Sequence, residues 1–300
     1  MQAIFDASLV IAHRRRALAQ GVAGADFLMA RAAEDLGERL STVERSFERG
    51  AAIFSVSPAA AAVLAASGKV AELVRVEADQ AFLGGGPGIV SDPETIALEP
   101  ASIDLAISLL ALQEANDIPG QLIQIRRSLK PDGLFLGVLA GAGTLVELRE
   151  SLLAAETEIS GGASPRVIPF TDVRDAGGLL QRAGFALPVA DVETVTVRYD
   201  TMFGLMADLR AMGVTSALAD RSRKPATRRL FQRAAEIYAE RFSDPDGRVR
   251  ASFSFVWLSG WAPDASQQKP LKPGSAQVSL AEVLGDEVLG AKVLGDDGKS

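Results

Sequence analysis

The sequence predicts an α/β fold: a mostly parallel seven-stranded sheet with helices on its faces, an antiparallel edge and a helical cap insertion. Three observations predict it. Short apolar runs at 51–56, 72–76, 88–90, 103–110 and 133–139 recur, with helical patterns such as 59–66 and 118–129 between several of them, which is how a parallel sheet reads. Lys130-Pro131-Asp132-Gly133 is a turn with a mechanism, since proline fixes φ and Asp-Gly accepts the reversed backbone before the buried run Leu134-Phe135-Leu136. Two later strand-like runs, 192–199 and 251–261, are separated by helical stretches at 202–212 and 227–242, the pattern of a sheet edge with helices above it.

The 300 residues are 48% apolar with mean hydropathy +0.16, ample for a buried core. A net charge of −7 and a pI near 5.0 argue against general nucleic-acid binding. Arg14-Arg15-Arg16 reads as a solvated helix face. With no cysteine and His13 as the single histidine, disulfides, thiolate nucleophiles and multi-histidine metal sites are excluded, and no metal site is assigned. No run approaches the roughly 18 apolar residues of a membrane span, and nothing resembles a signal peptide, so the expectation is a cytoplasmic protein.

Residues 1–47 form an N-terminal helical segment of two helices broken between Gly21 and Gly24. The main domain is expected over 48–262, with the helical insertion at about 200–250. Within it, Gly141-Ala142-Gly143-Thr144 turns into a helix with Leu145, Leu148, Leu152 and Ala155 on one side. A glycine-rich loop follows, Gly161-Gly162-Ala163-Ser164-Pro165-Arg166. Thr171 is the expected N-cap of a helix over 172–183 that Gly184 closes. Val195, Val197 and Tyr199 share one strand face; Phe253, Phe255 and Trp257 share another. From 263 to 300 the chain turns polar, with an imperfect Val-Leu-Gly repeat, and reads as a mobile tail.

The first apolar run leads into Ser55-Val56-Ser57-Pro58 and a row of alanines. A loop that cradles a phosphate or ribose needs glycine, because only a residue without Cβ turns sharply and approaches a ligand closely. There is none here.

An ordered set of motifs resembles the class I, Rossmann-like methyltransferase-fold proteins related to mitochondrial respiratory complex I assembly factor five and, more distantly, the malonyl-carrier-protein methyltransferase of biotin synthesis. The set runs from Ser91-Asp92-Pro93-Glu94-Thr95 and Ser102-Ile103-Asp104-Leu105 through Asn116-Asp117-Ile118-Pro119 and Leu129-Lys130-Pro131-Asp132-Gly133. Its most specific part is Ala155-Glu156-Thr157-Glu158, Gly161-Gly162, Ser164-Pro165-Arg166 and Pro169-Phe170, followed by Arg182-Ala183-Gly184-Phe185 and Met202-Phe203. Phe5-Asp6 with the arginine cluster, and Gly274-Ser275-Ala276, fit as well. No mitochondrial presequence precedes Phe5-Asp6, which suggests a bacterial relative.

The resemblance implies S-adenosylmethionine (SAM) as cofactor. It puts Ile53 at the family's acidic position and Ser55, Ser57 and Ala59 where glycines belong. Ser55 and Ser57 are therefore the expected cofactor loop. Asp79 is the candidate acceptor for the ribose hydroxyls, with an exposed turn aspartate as the alternative. Asp92 and Glu94 fall at the adenine edge, or serve the turn around Pro93. Gln113-Glu114 stands where relatives have His-Trp, and Gly84 to Gly88 replaces a helix. Glu147, Arg149, Glu156, Gly161, Gly162, Ser164 and Arg166 form the substrate or partner region, or a structural helix and loop locked by Arg–Glu hydrogen bonds. No catalytic residue is assigned. Two functions follow: a SAM-dependent enzyme acting on a protein, whose relative is associated with arginine hydroxylation of a complex I subunit, or a pseudoenzyme that binds a respiratory-complex partner.

Overall fold

Seven strands form one sheet in the order β3-β2-β1-β4-β5-β7-β6. The structure is a computed structural model, and it describes residues 3–162, 164–223 and 225–267. The tail with its Val-Leu-Gly repeat and Gly274-Ser275-Ala276 lies outside the described residues.

Strands β1 (Phe47–Ile53), β2 (Val70–Glu77), β3 (Ile89–Val90), β4 (Ile103–Leu109) and β5 (Leu129–Ala140) are parallel; β7 (Val249–Trp261) runs antiparallel to β5, and β6 (Ala186–Tyr199) antiparallel to β7 at the edge. The expected seven-stranded, mostly parallel sheet with an antiparallel edge is therefore present. Helices α3 (Ala59–Ala66), α4 (Ile118–Ser128), α5 (Val146–Ser160) and α6 (Val173–Ala183) lie between strands, and α7 (Met202–Ala211) with α8 (Arg228–Phe242) connects β6 to β7.

Both faces of the sheet are buried except along the edge strand β6, which has no fully buried residue. On one, Phe253, Phe255 and Trp257 join Leu36 and Leu40 of α2 (Phe27–Ser41), Leu148 and Leu152 of α5, and Ile237 and Tyr238 of α8. On the other, Ile53, Val76, Phe135, Val256 and Leu258 pack with Leu122 and Ile125 of α4 and Leu180 of α6. Each fully buried aliphatic side chain contributes about 1.5–3 kcal/mol.

Three local expectations are corrected. Lys130-Pro131-Asp132-Gly133 lies inside β5 as a bulge: between the pairs Ile103–Leu129 and Leu105–Leu134, β5 advances five residues while β4 advances two. Asp132 takes a left-handed φ of 60° there and Arg45 donates to its carboxylate at 2.6 Å, so a tertiary contact absorbs the turn. The cap of α6 is Asp172, which accepts from Asp175 N at 2.8 Å, because Thr171 bridges Gly141 at the end of β5. Arg14 is not solvated. Helix α1 (Ala7–Gln20), capped by Asp6, lies close enough to α7 that a Cβ on Gly213 would come within 2.9 Å of Arg14 Cα, and this approach sinks the Arg14 side chain into a buried ion pair with Glu114.

Candidate functional site

Strand β1 has β2 on one side and β4 on the other, so the chain reverses its order of strand addition between β1 and β4. In open α/β sheets ligands bind outside the carboxyl ends of the strands at such a point. A cavity of about 1030 Å³ lies there. Its floor is the loop 55–58 after β1, Arg75, the turn from Ala81 to Gly86, and Leu110 with Gln113 and Glu114 after β4. Its roof comes from α1, the segment 21–29 and α7. The deep wall is apolar: Leu145, Leu148 and Leu152 beside Phe253 and Phe255 of β7.

The loop after β1 keeps a sharp turn without glycine. Phe54 and Val56 have φ of 54° and 60°, so the left-handed residues are these two and not Ser55, Ser57 or Ala59. A β-branched residue there is strained by about 1–3 kcal/mol. Val56 N–H donates to Glu77 Oε2 at 3.1 Å, which holds the strained peptide in place. Ser57 Oγ accepts from Ala59 N at 3.2 Å. Ser55 is fully buried, and among the described residues its hydroxyl has no hydrogen-bond partner. Val56→Gly is therefore expected to leave stability within about 0.5 kcal/mol of the parent or to raise it, because relieved strain offsets glycine's greater unfolded freedom. A urea melt checks this; a loss above about 2 kcal/mol would show that the Val56 side chain is needed for packing.

Glu77, the last residue of β2, was not singled out by the sequence. It is 0% exposed. Arg75 donates to Glu77 Oε1 at 2.8 Å and to the Phe82 carbonyl at 2.8 Å, so the guanidinium covers the carboxylate and ties it to the following turn. Burial raises the Glu77 pKa above its ordinary value, with Arg75 opposing. The signal that could have found it is position: an acid that directly ends the second apolar run. Asp79, two residues on, spends one oxygen on Ala81 N at 2.9 Å as the cap of the short turn Gln80–Leu83, and Arg15 lies 3.5 Å from the other.

Asp92 accepts from Glu94 N at 2.8 Å; Glu94 accepts from Asn116 N at 3.0 Å and Asp117 N at 3.3 Å. Both thus brace the turn around Pro93. Glu147 is buried and accepts from Ser252 N at 3.1 Å, fixing α5 to β7. Arg149 donates to the Thr144 carbonyl at 3.3 Å and lies over the Phe170 ring. Glu156 binds Arg166 at 2.6 Å and accepts from Ser164 N at 3.1 Å, which holds its carboxyl below the usual range. Gly161 closes α5 with φ 65°, and nothing stands within 4 Å of where a Gly162 Cβ would be. The structure thus brings Ser55, Ser57 and Arg166 to the cavity, while Asp79, Asp92, Glu94, Glu147, Arg149, Glu156, Gly161, Gly162 and Ser164 are not among its lining residues. Among the described residues, no cluster of three His, Asp or Glu could hold a metal, and no helix is long and apolar enough to cross a membrane.

Residues 43–137, which span β1 to most of β5, match the methyltransferase domain family. The chain is 43% identical over 196 residues to the arginine-hydroxylase NDUFAF5, mitochondrial, of Dictyostelium discoideum, covering 65% of this chain and 45% of that protein. It is 41% identical over 195 residues to the Homo sapiens protein of the same name, covering 65% and 56%. This is a class I methyltransferase-fold chain homologous to NDUFAF5. More distantly, the domain is 36% identical over 186 residues to a malonyl-[acyl-carrier protein] O-methyltransferase of Laribacter hongkongensis, covering 62% of this chain and 60% of that protein. The matched region spans 45–60% of the length of these relatives. Among solved structures, the methyltransferase fold is shared with a putative methyltransferase from Bacillus halodurans, at 14% identity and TM-score 0.53, covering 77% of this chain and 98% of that one. The YcgJ protein from Bacillus subtilis gives 17% identity and TM-score 0.50, covering 77% and 99%.

Proposed function

We propose that this chain is a cytoplasmic protein of the complex I assembly type, whose methyltransferase-fold domain serves as a binding module for a respiratory-complex subunit and does not hold SAM in the family manner. The observation that carries this reading is the Arg75–Glu77 pair. SAM offers two ribose hydroxyls that need an accepting carboxylate, and the acid at the end of β2 is fully buried beneath Arg75. Its ammonium needs a second acceptor, and at the end of β1 stands Ile53, buried in the apolar core. The donor set does not fit SAM, and no methyl-transfer step is derived through it.

A second reading, a SAM-dependent enzyme acting on a protein substrate, is favoured by one observation: the left-handed backbone at Phe54 and Val56, which keeps the sharp turn of a ligand-binding loop. Thermal unfolding with SAM or its demethylated product separates the two. A ligand at about 100 times its dissociation constant raises stability by about 2.7 kcal/mol. No shift at millimolar ligand, with a flat calorimetric titration, is the expected result; a saturable shift would establish the second reading.

A further inference from the structure

The polar side chains that line the cavity are largely committed within the protein. Three lining arginines each have their own carboxylate: Arg14 pairs with Glu114, Arg75 with Glu77 at 2.8 Å, and Arg166 with Glu156 through bonds of 2.6 and 3.1 Å. Gln113 spans the Leu110 carbonyl and Ala140 N, and Thr144 both donates to and accepts from the Ser254 backbone. Thr215 Oγ1 lies 2.9 Å from His13 Nδ1, and Ser57 Oγ accepts from Ala59 N. Ser55 Oγ, Arg75 Nε and Ser216 Oγ have no hydrogen-bond partner among the described residues, but all three are buried behind the lining and present no surface that a ligand could reach. Among the described residues this leaves Asp26 and Arg210, both exposed and opposite in charge. The lining therefore selects neither an anion nor a cation.

What it does present is apolar and adaptable. Three of the chain's five methionines, Met29, Met206 and Met212, line the cavity together with Phe231, Phe253 and Phe255. Methionine fills irregular gaps around a guest, and its sulfur packs well against rings. The apolar surface also continues outwards to the mouth. Leu18, Val22 and Val214 are 50%, 51% and 37% exposed, and all three belong to the same lining. An apolar rim that is continuous with an apolar interior marks a binding site. A charged guest would leave water for a wall without a free counter-charge, which costs it affinity.

We infer that the cavity binds an uncharged, predominantly hydrocarbon small molecule, held by Met206, Phe231, Phe253 and Phe255 and covered at the mouth by Leu18 and Val22. This rests on the preceding reading only in that SAM does not take up the same space.

The test is a fluorescence titration of the full chain with N-phenyl-naphthylamine, an uncharged probe, and with anilinonaphthalene sulfonate, which has the same rings and a sulfonate. SAM is titrated calorimetrically in parallel. One saturable site for the uncharged probe is expected, with the sulfonate binding at least about tenfold more weakly. Val22→Asp, on the exposed rim, should weaken the uncharged probe about three- to tenfold. Met206→Glu, on the wall, should weaken it about tenfold or more, with folding verified by circular dichroism. Val192→Lys, on the exposed edge of β6 and outside the lining, should leave it unchanged. Absence of a saturable site, a sulfonate bound as tightly, or parental affinity in both cavity variants overturns the inference, as does loss of binding in Val192→Lys. Saturable SAM binding overturns the preceding reading on its own, whatever the probe does; a probe that fails to bind while SAM stays flat overturns this inference alone.

Discussion

Arg75→Leu is expected to destabilise the domain by about 3–5 kcal/mol at pH 8 and much less at pH 4, because the variant leaves an unpaired carboxylate in a fully buried position. Glu77 is the carboxylate in question, with 0% exposure, and burial already raises its pKa above the reference 4.5 despite the neighbouring arginine. The sign follows from linkage. A raised folded-state pKa favours the protonated form in the native protein, so stability is fully present below 4.5 and is lost as pH rises through the folded value. Removing Arg75 takes away the influence that held the pKa down, so the loss grows. Urea denaturation at the two pH values measures it. The double change Arg75→Leu with Glu77→Leu should recover most of the stability, since an apolar pair of similar volume is often neutral or better in a buried site. An equal loss at both pH values would assign the effect to the packing of the arginine stem instead.

Arg14→Ala is the second large effect, again about 3–5 kcal/mol, because Glu114 would be stranded in a site where both partners are about nine-tenths buried. The loss should be local before it is global. Helix α1 is held by this pair, by Asn116 Oδ1 accepting from Ile4 N and Phe5 N at 2.8 Å each, and by its approach to Gly213. Native-state hydrogen exchange should therefore show α1 amides losing protection while those of β4 and β5 keep theirs. Arg14→Lys should restore part of the protection. Unchanged α1 exchange in Arg14→Ala would show that Asn116 and the Gly213 contact suffice to dock the helix.

Strand positions were legible in the sequence wherever an apolar run was short and bounded by turn residues, as at 103–110 or 251–261. The start of β1 was not: Phe47 to Gly50 continues the spacing of the preceding helix, and only pairing with Val70 to Leu73 of β2 makes it extended. Helix ends with local signals, such as Gly184, could be read, whereas Asp172 took the cap from Thr171 through a bridge formed by β5. At the site, the absence of glycine was visible and the retained left-handed backbone was not, because a bond from Val56 to Glu77, 21 residues away, enforces it. Glu77 and Arg14 were passed over for the same reason. A charged side chain is ordinarily solvated, and nothing local shows that a distant partner has drawn it inside.

The two margins of the sheet differ in their exposure to other molecules. At one, β3 is only two residues long and offers almost no backbone to an incoming strand. At the other, β6 runs for 14 residues, and Leu187, Val189 and Val192 are more than half exposed along it. Pro188, which has no N–H, interrupts this stretch near its start, and the register with β7 slips between Ala186 and Val189. Farther along, Arg198 is exposed, while Asp191 and Glu193 are committed to Arg39 and Arg31. Among the described residues, the template open to edge-to-edge aggregation is therefore the middle of β6. A lysine at Val192 is the substitution that guards it best, since an exposed charge on an edge strand is how natural sheets stay apart.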